Sequence, residues 1–574
     1  MALLPVEQIG SVGIHTDPPP YSLPPNTWSD GANVRFTDLG VMKMPGYKEA
    51  MKTFPNDKGR PMHIVFRNAS YEADDQDMWF VFTEKNIMTY RNESGDWVTS
   101  ATLPTSGSGL GGVDDIWSTA WNGPILLATN GKSMWQLQLS LGYPASPPAF
   151  TRWYANAQGE TSQVFNALGT FKSHIIGLGT KANPYRVWWS TAMSAYEQVG
   201  SGTSVNQFDY TDENKDSGDF ELNETRGKII GGAQLGDGFM VYKEDCAYVM
   251  NYIGQPFIFG FKVMAKDVGL LNKRAIAVFD GGHVFVGIND VHLNNGQSIV
   301  PLLTDKLQSE MFGDMNPELH QNVFVVSGKK TTEFGIFWPS ADVKTDYTPW
   351  HDDGWQYEDW RGCDRGIIWN WLNNTLTLFD PQNPIDHACE GIAPTDPPKV
   401  WGEYTGTLYE EYGGTWDEAT TKWNDDSYGM IAQHLVLLKG NNSNTTYAKA
   451  KLFRTHSGEK SDDKDMYSFI ERTGYDLGDP GGVKFVRAVY PKMEIQGNNT
   501  VNVYICGQMS PEDGIRWEGP YPFNPDTQSK VSCRVSGKYF GVKFESEGDF
   551  SWRLHGYEFD MEQSGRRGSR NYAV

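Results

Sequence analysis

"PILLATNGKSMWQLQL", residues 124–139, consists of two short apolar runs on either side of Asn130-Gly131. Each run is too short for a helix that could bury a face, and both turn residues tolerate positive φ. The stretch therefore reads as a two-residue β-hairpin. The same arrangement recurs along the chain. "MWFVF" and "IMTY" flank Glu84-Lys85-Asn86, and "HIIGLG" and "YRVWWS" flank residues 180–184. "GFMVY" and "AYVMNY" flank Lys243-Glu244-Asp245, and "HVFVGI" and "VHL" flank Asn289-Asp290. "NVFVV" and "FGIFW" enclose a turn near 329, and "GIIWNWL" and "TLTLF" enclose one near 373. A hairpin returning every ~40–50 residues is the period of a propeller blade. Runs continuous in Trp, Phe, Val and Ile suit strands buried on both faces between blades.

Composition agrees. At 574 residues the chain exceeds one ordinary core. Aromatics reach 13%, and 61 glycines and 31 prolines break the chain into short pieces. That is the usage of an all-β protein and excludes disorder. Beyond Gly481-Gly482, "FVRAVYPKMEI", "TVNVYICGQ", "SKVSCRV", "KYFGVKFES" and "FSWRLHGYEFDME" alternate with period two, as in an antiparallel sandwich. The expected fold is all-β: an irregular β-propeller plus an antiparallel β-sandwich-like platform domain. Four segments follow. Residues 1–55 are a proline-rich docking arm with a small hairpin, and 56–392 the propeller. Residues 393–480 are a connector with additional hairpins, and 481–574 an antiparallel domain ending in the basic "GRRGSRNYAV".

The net charge of −22 disfavours a sequence-reading DNA binder, which needs clustered Lys and Arg, yet suits a passage along which DNA slides without sticking. Five scattered cysteines without CxxC spacing read as reduced thiols of a protein made in a cytoplasm. No secretory leader and no membrane span are expected. The chain carries no GxxxxGK[ST] loop, GxSxG elbow or HExxH helix, so no catalytic residue, cofactor or metal ion is assigned. His283 and His292 read as structural. The patch from His351, with Asp352, Asp353, Glu358 and Asp359, lacks the disciplined offsets of a calcium loop. Residues 203–224 hold Asp209, Asp212, Glu213, Asp216, Asp219, Glu221 and Glu224 against one lysine, and read as a projecting loop. Two other readings stay open: a propeller-type polysaccharide hydrolase or depolymerase using two carboxylates, and a carbohydrate-binding receptor module using Trp416 and Trp423.

The two ends carry a family resemblance. "DPPPYSLPPNTWSDGANVRFTDLGVMKMPGY" contains a proline-rich arm, then Asn33-Val34-Arg35-Phe36, then Lys43 before Pro45-Gly46. The ending contains Trp552-Arg553-Leu554-His555-Gly556 and Arg566-Arg567. Together they resemble the tail nozzle, or packaged-DNA stabilisation, proteins of short-tailed bacteriophages. The resemblance implies a homo-hexameric ring in the virion tail, made in the host bacterial cytoplasm. It would sit below the portal and adaptor ring, carry fibres, spikes or a needle, and conduct double-stranded DNA without sequence-specific binding. Asn33, Arg35, Phe36, Arg566 and Arg567 would then make assembly contacts. The loops bearing Asp209, Asp212, Glu213, Asp216, Asp219, Asp352 and Asp353 would narrow the channel.

Overall fold

The computed structural model describes residues 2–565 apart from 69–76, 93–94, 105–110, 113–114, 124, 139–148, 158–159, 193–207, 210, 212–214, 280, 330, 344–360, 394–432, 441–449 and 463. The hairpin at Asn130 forms, with one correction. Thr129 pairs with Met134, so the loop has four residues rather than two. Only Gly131 takes positive φ, at 79°. Asn130 contributes its side chain instead: Oδ1 accepts the N–H groups of Lys132 (3.0 Å) and Ser133 (2.7 Å). That Asx arrangement satisfies donors a tight two-residue turn would not expose.

The hairpin is the middle of a four-stranded antiparallel meander, Ser118–Asn122, Ile125–Thr129, Met134–Gln138 and Thr151–Trp153. Seven such sheets occur among the described residues, and we number them as blades with strands a to d from the axis outward. Blade 1 runs from Pro61–Arg67 to Trp97–Thr102, and blade 2 is the meander just given. Blade 3 runs from Phe165–Phe171 to Gly218–Glu221, and blade 4 from Ile229–Leu235 to Ile258–Lys266. Blade 5 runs from Ile276–Phe279 to Ile299–Pro301, and blade 6 from Phe324–Gly328 to Thr375–Phe379. Blade 7 takes His387–Ile392, Gln433–Lys439 and Lys451–Thr455 from late in the chain and its outermost strand, Tyr47–Glu49, from early in it. Strand a of blade 7 lies against strand a of blade 1, so the ring is closed.

The b strands of blades 1 to 6 are buried along their whole length, from Met78–Thr83 to Glu333–Trp338. Each fully buried aliphatic or aromatic side chain there contributes roughly 1.5–3 kcal/mol. Blades meet closely enough that Gly169 in blade 3 has no room for a Cβ, which would stand 2.5 Å from the Phe239 ring of blade 4.

The turn rhythm is only partly a blade count. Turns near 85, 130, 182, 244 and 289 are the b–c turns of blades 1 to 5. Those near 329 and 373 are the a–b and c–d turns of one blade, the sixth. Blade 7 is interrupted by the 394–432 segment, which hides its period.

Both chain ends build the second domain. One sheet contains Val34–Thr37, Gly40–Lys43, Trp552–Gly565, Val483–Ile495 and Val531–Gly537, with Ala2–Val6 also paired to Trp552–Gly565. The other contains Asp30–Ala32, Ser468–Tyr475, Tyr539–Ser546, Val501–Gln508 and Glu518–Phe523. Trp28, Phe36, Phe544, Trp552, Tyr557 and Phe559 fill the space between. Ala32 also pairs with Leu378, joining this sheet to the outer edge of blade 6. The composition-based boundaries change accordingly. Residues 1–55 are divided between sandwich and blade 7, and the 393–480 connector supplies two blade-7 strands and one sandwich strand. The protein is an all-β propeller joined to an antiparallel sandwich.

Candidate functional site: the axial mouth and the domain seam

In a propeller the a strands turn an unpaired backbone edge toward the axis, and those groups need partners. At the end where the a strands begin, the partners come largely from one turn. Asn272, Lys273 and Arg274 precede strand a of blade 5, held by Ala275 N–H to Asn272 carbonyl (3.1 Å) and Arg274 N–H to Asn272 Oδ1 (2.8 Å). Arg274 donates to the carbonyls of Met62 in blade 1 (2.8 Å), Asp386 before blade 7 (3.3 Å) and Gln321 before blade 6 (3.3 Å). Lys273 reaches the other way and donates from Nζ to the carbonyl of Asn166 in blade 3 (2.7 Å). Two adjacent cations thus span the mouth and tie five blades together.

Around them, Arg60 pairs with Asp386, whose Oδ2 accepts the Gly440 N–H at 2.6 Å. The rings of His63 and His387 lie 4.2 Å apart, and His63 Nε2 is 3.1 Å from Thr119 Oγ1. Burial, reinforced by Arg274 and Lys273, pushes His63 down to about 3. His387 is held well below the imidazole range by burial, then by His63 and Arg274. Both rings are therefore neutral at physiological pH. Burial brings Lys273 down to about 7, opposed by Asp115 and aided by Arg274, and it lowers Arg274 as well. It also raises the Cys363 thiol well above its ordinary value, which keeps that group protonated and unreactive. The site is a cationic closure built on backbone carbonyls.

The second feature is the seam between the domains. Arg35 forks onto Glu333 of blade 6, Nε to Oε1 at 2.6 Å and a terminal nitrogen to Oε2 at 2.7 Å, with His456 3.3 Å from that terminal nitrogen. Asn33 is buried at φ 54°. It donates to the Tyr467 carbonyl (2.8 Å) and accepts the Asp380 N–H (3.0 Å). Phe36 lies in the sandwich core. Lys43, fully buried, donates to the carbonyls of Gly548 (2.6 Å) and Phe550 (3.2 Å).

Of the residues singled out from sequence, Asn33, Arg35 and Phe36 thus meet partners inside the chain. Arg566 and Arg567 lie outside the described residues, as do Asp212, Glu213, Asp352, Asp353, Trp416 and Trp423. Asp209, Asp216 and Asp219 sit on the outer wall of blade 3, away from the propeller axis. Asp209 accepts from the Thr211 hydroxyl (2.5 Å), Asp216 from Gln255 (3.1 Å), and Asp219 pairs with Arg186 (3.0 Å). His283 is bonded to the Tyr242 hydroxyl (3.0 Å) and the Gln234 carbonyl (2.8 Å), and His292 packs on Phe285. The cysteines are free thiols, and among the described residues no cluster of His, Cys, Asp or Glu is placed to hold a metal ion. No helix among them is long and apolar enough to cross a membrane.

Fold and site thus define a propeller–sandwich protein with Lys273 and Arg274 reaching across its axial mouth. No protein-family model and no curated protein matches the chain. Among solved structures it is similar to a chain of the "Crystal Structure of Mitotic Checkpoint Complex", at 11% identity and a TM-score of 0.32. That match covers 59% of this chain and 90% of the other, and a likeness so weak carries no functional argument.

Proposed function

We propose that this chain is a non-enzymatic structural protein of a virion, the tail nozzle of a short-tailed phage. Copies would form a six-membered ring below the portal and adaptor, retain packaged DNA and conduct it during ejection. One observation carries the reading most. The two end segments that resemble this family, far apart in sequence, are one structural unit. Val41 pairs with Leu554 and Met42 with Arg553, and the His555 ring donates to the Leu39 carbonyl at 2.7 Å. A signature split between the termini is what a platform built from both ends requires. With Lys273 and Arg274 reaching across the propeller mouth, DNA would pass between copies, along walls made by the sides of the blades. An acidic chain lining that path would hold the duplex weakly.

The test is assembly. Purified protein mixed with portal–adaptor complexes should add a ring beneath the adaptor, visible by electron microscopy. Failure to bind the adaptor, together with cleavage of capsular or lipopolysaccharide glycans, would replace this reading with the depolymerase one.

A further inference from the structure

Among the described residues, the axial mouth sets three cations, Arg60, Lys273 and Arg274, against two carboxylates, Asp386 and Asp115. Arg274 reaches toward blades 1, 6 and 7 and Lys273 toward blade 3. Asp386 is paired with Arg60, and Asp115 with Lys132 at 2.5 Å. The side-chain hydrogen bonds of Lys273 and Arg274 recorded above all end on neutral backbone carbonyls. Desolvation is costly for such cations unless an opposite charge is near. Two buried nitrogens there are also without a partner. Arg274 and His63 are each 7% exposed, and neither Arg274 Nε nor His63 Nδ1 has a hydrogen-bond partner. Arg274 donates to the carbonyl of Met62, the residue next to His63. With Thr119 Oγ1 beside Nε2, a neutral His63 that accepts the threonine hydroxyl carries its proton on Nδ1, as a donor. Lys273 is partly buried as a residue.

We infer that the axial mouth is a binding site for a small inorganic anion, held by Lys273 Nζ, Arg274 and His63 Nδ1–H. The anion supplies the missing charge and accepts from the idle donors, so it acts as a structural ligand fastening the a strands of the ring. This site is separate from the assembly reading and stands whether or not the chain is a nozzle.

Bromide is the probe. Thermal unfolding in sodium bromide should occur above that in sodium gluconate at equal ionic strength, by about 1 °C for each tenfold rise in bromide beyond saturation. Lys273→Met should abolish the difference. Raising the pH through 7 should weaken it in the wild type, because Lys273 loses its proton there. The other charged or titratable groups facing the mouth are Arg60, Arg274, Asp386, Asp115, His63, His387 and Cys363; burial holds both imidazoles below that range and the Cys363 thiol above it. Crystals soaked in bromide should show an anomalous peak within hydrogen-bonding distance of Lys273 Nζ, a readout that does not depend on the variant folding. Equal melting in the two salts, a bromide effect that survives Lys273→Met, or an empty mouth in the anomalous map would each overturn the assignment.

Discussion

The Arg35–Glu333 fork is where the joint between the domains is most open to perturbation. The side chains are 18% and 10% exposed, and the guanidinium makes two contacts of 2.6 and 2.7 Å with the carboxylate. Replacing Arg35 with Met keeps most of the stem's packing but leaves the Glu333 carboxylate without its counter-charge. Breaking one side of a buried pair costs about 3–5 kcal/mol. Solvent reaches this pair from the seam, so the lower end applies, about 3 kcal/mol. Glu333→Gln removes the charge but keeps an acceptor for the guanidinium, and should cost about 2 kcal/mol. If the fork is the dominant interaction at both positions, the double variant should cost about 3 kcal/mol, well short of the sum. The coupling energy would then be roughly 2 kcal/mol. Urea unfolding followed by tryptophan fluorescence and by far-ultraviolet circular dichroism measures all four corners, and superimposable transitions would license the arithmetic. Additive losses would refute the reasoning, since they mean that the two side chains act independently and the seam is held elsewhere.

Three further perturbations test other parts of the fold. Tyr47 closes the ring as part of the outer strand of blade 7, is 2% exposed, and packs on Phe453 at 5.0 Å. Tyr47→Ala should cost about 3–4 kcal/mol and lower the calorimetric transition, whereas an unchanged transition would mean that closure does not depend on this strand. Glu471 has its carboxyl raised to about 7, chiefly by burial and then by Asp30, with Lys543 opposing. A carboxyl raised on folding binds more protons in the native state, so stability falls as pH rises from about 4.5 to 7. Glu471→Gln should flatten that decline by about 2 kcal/mol between pH 4.5 and 7.5, and parallel pH profiles for the two proteins would contradict the assignment. Gly169→Ala drives a methyl into the Phe239 ring and should cost about 2 kcal/mol in denaturant titrations, while a neutral effect would show that blades 3 and 4 can separate freely.

Much of the propeller was legible because a blade is a local object. Its hairpins connect neighbouring strands, and the b strands announce themselves as runs such as "MWFVF" that are apolar on both faces. What a sequence window cannot show is closure. Tyr47–Glu49 is a three-residue strand beyond Pro45-Gly46 whose partner is Lys451–Thr455, and nothing local links them. The turns near 329 and 373 keep the rhythm although both belong to blade 6, because its a–b and c–d turns happen to lie one period apart. The first 43 residues look like a free arm because prolines dominate, yet Ile14, Trp28, Val34, Phe36 and Val41 all enter the sandwich core. Those apolar positions were the available signal against a free arm. The axial mouth was invisible for a different reason. "NKR" before "AIAVF" is one basic pair among 49 basic residues, and its meaning appears only when seven a strands converge. Asp209, Asp216 and Asp219 show the converse: an acidic run conspicuous in the sequence whose described members bond to nearby side chains on an outer wall.

The assignment as a tail nozzle is tested most directly by counting this polypeptide against the portal protein in purified phage particles. Quantitative mass spectrometry of disrupted particles suffices. The proposal predicts six copies beside twelve portal chains. Three copies, the stoichiometry of a fibre or spike, or absence from the particle would contradict it.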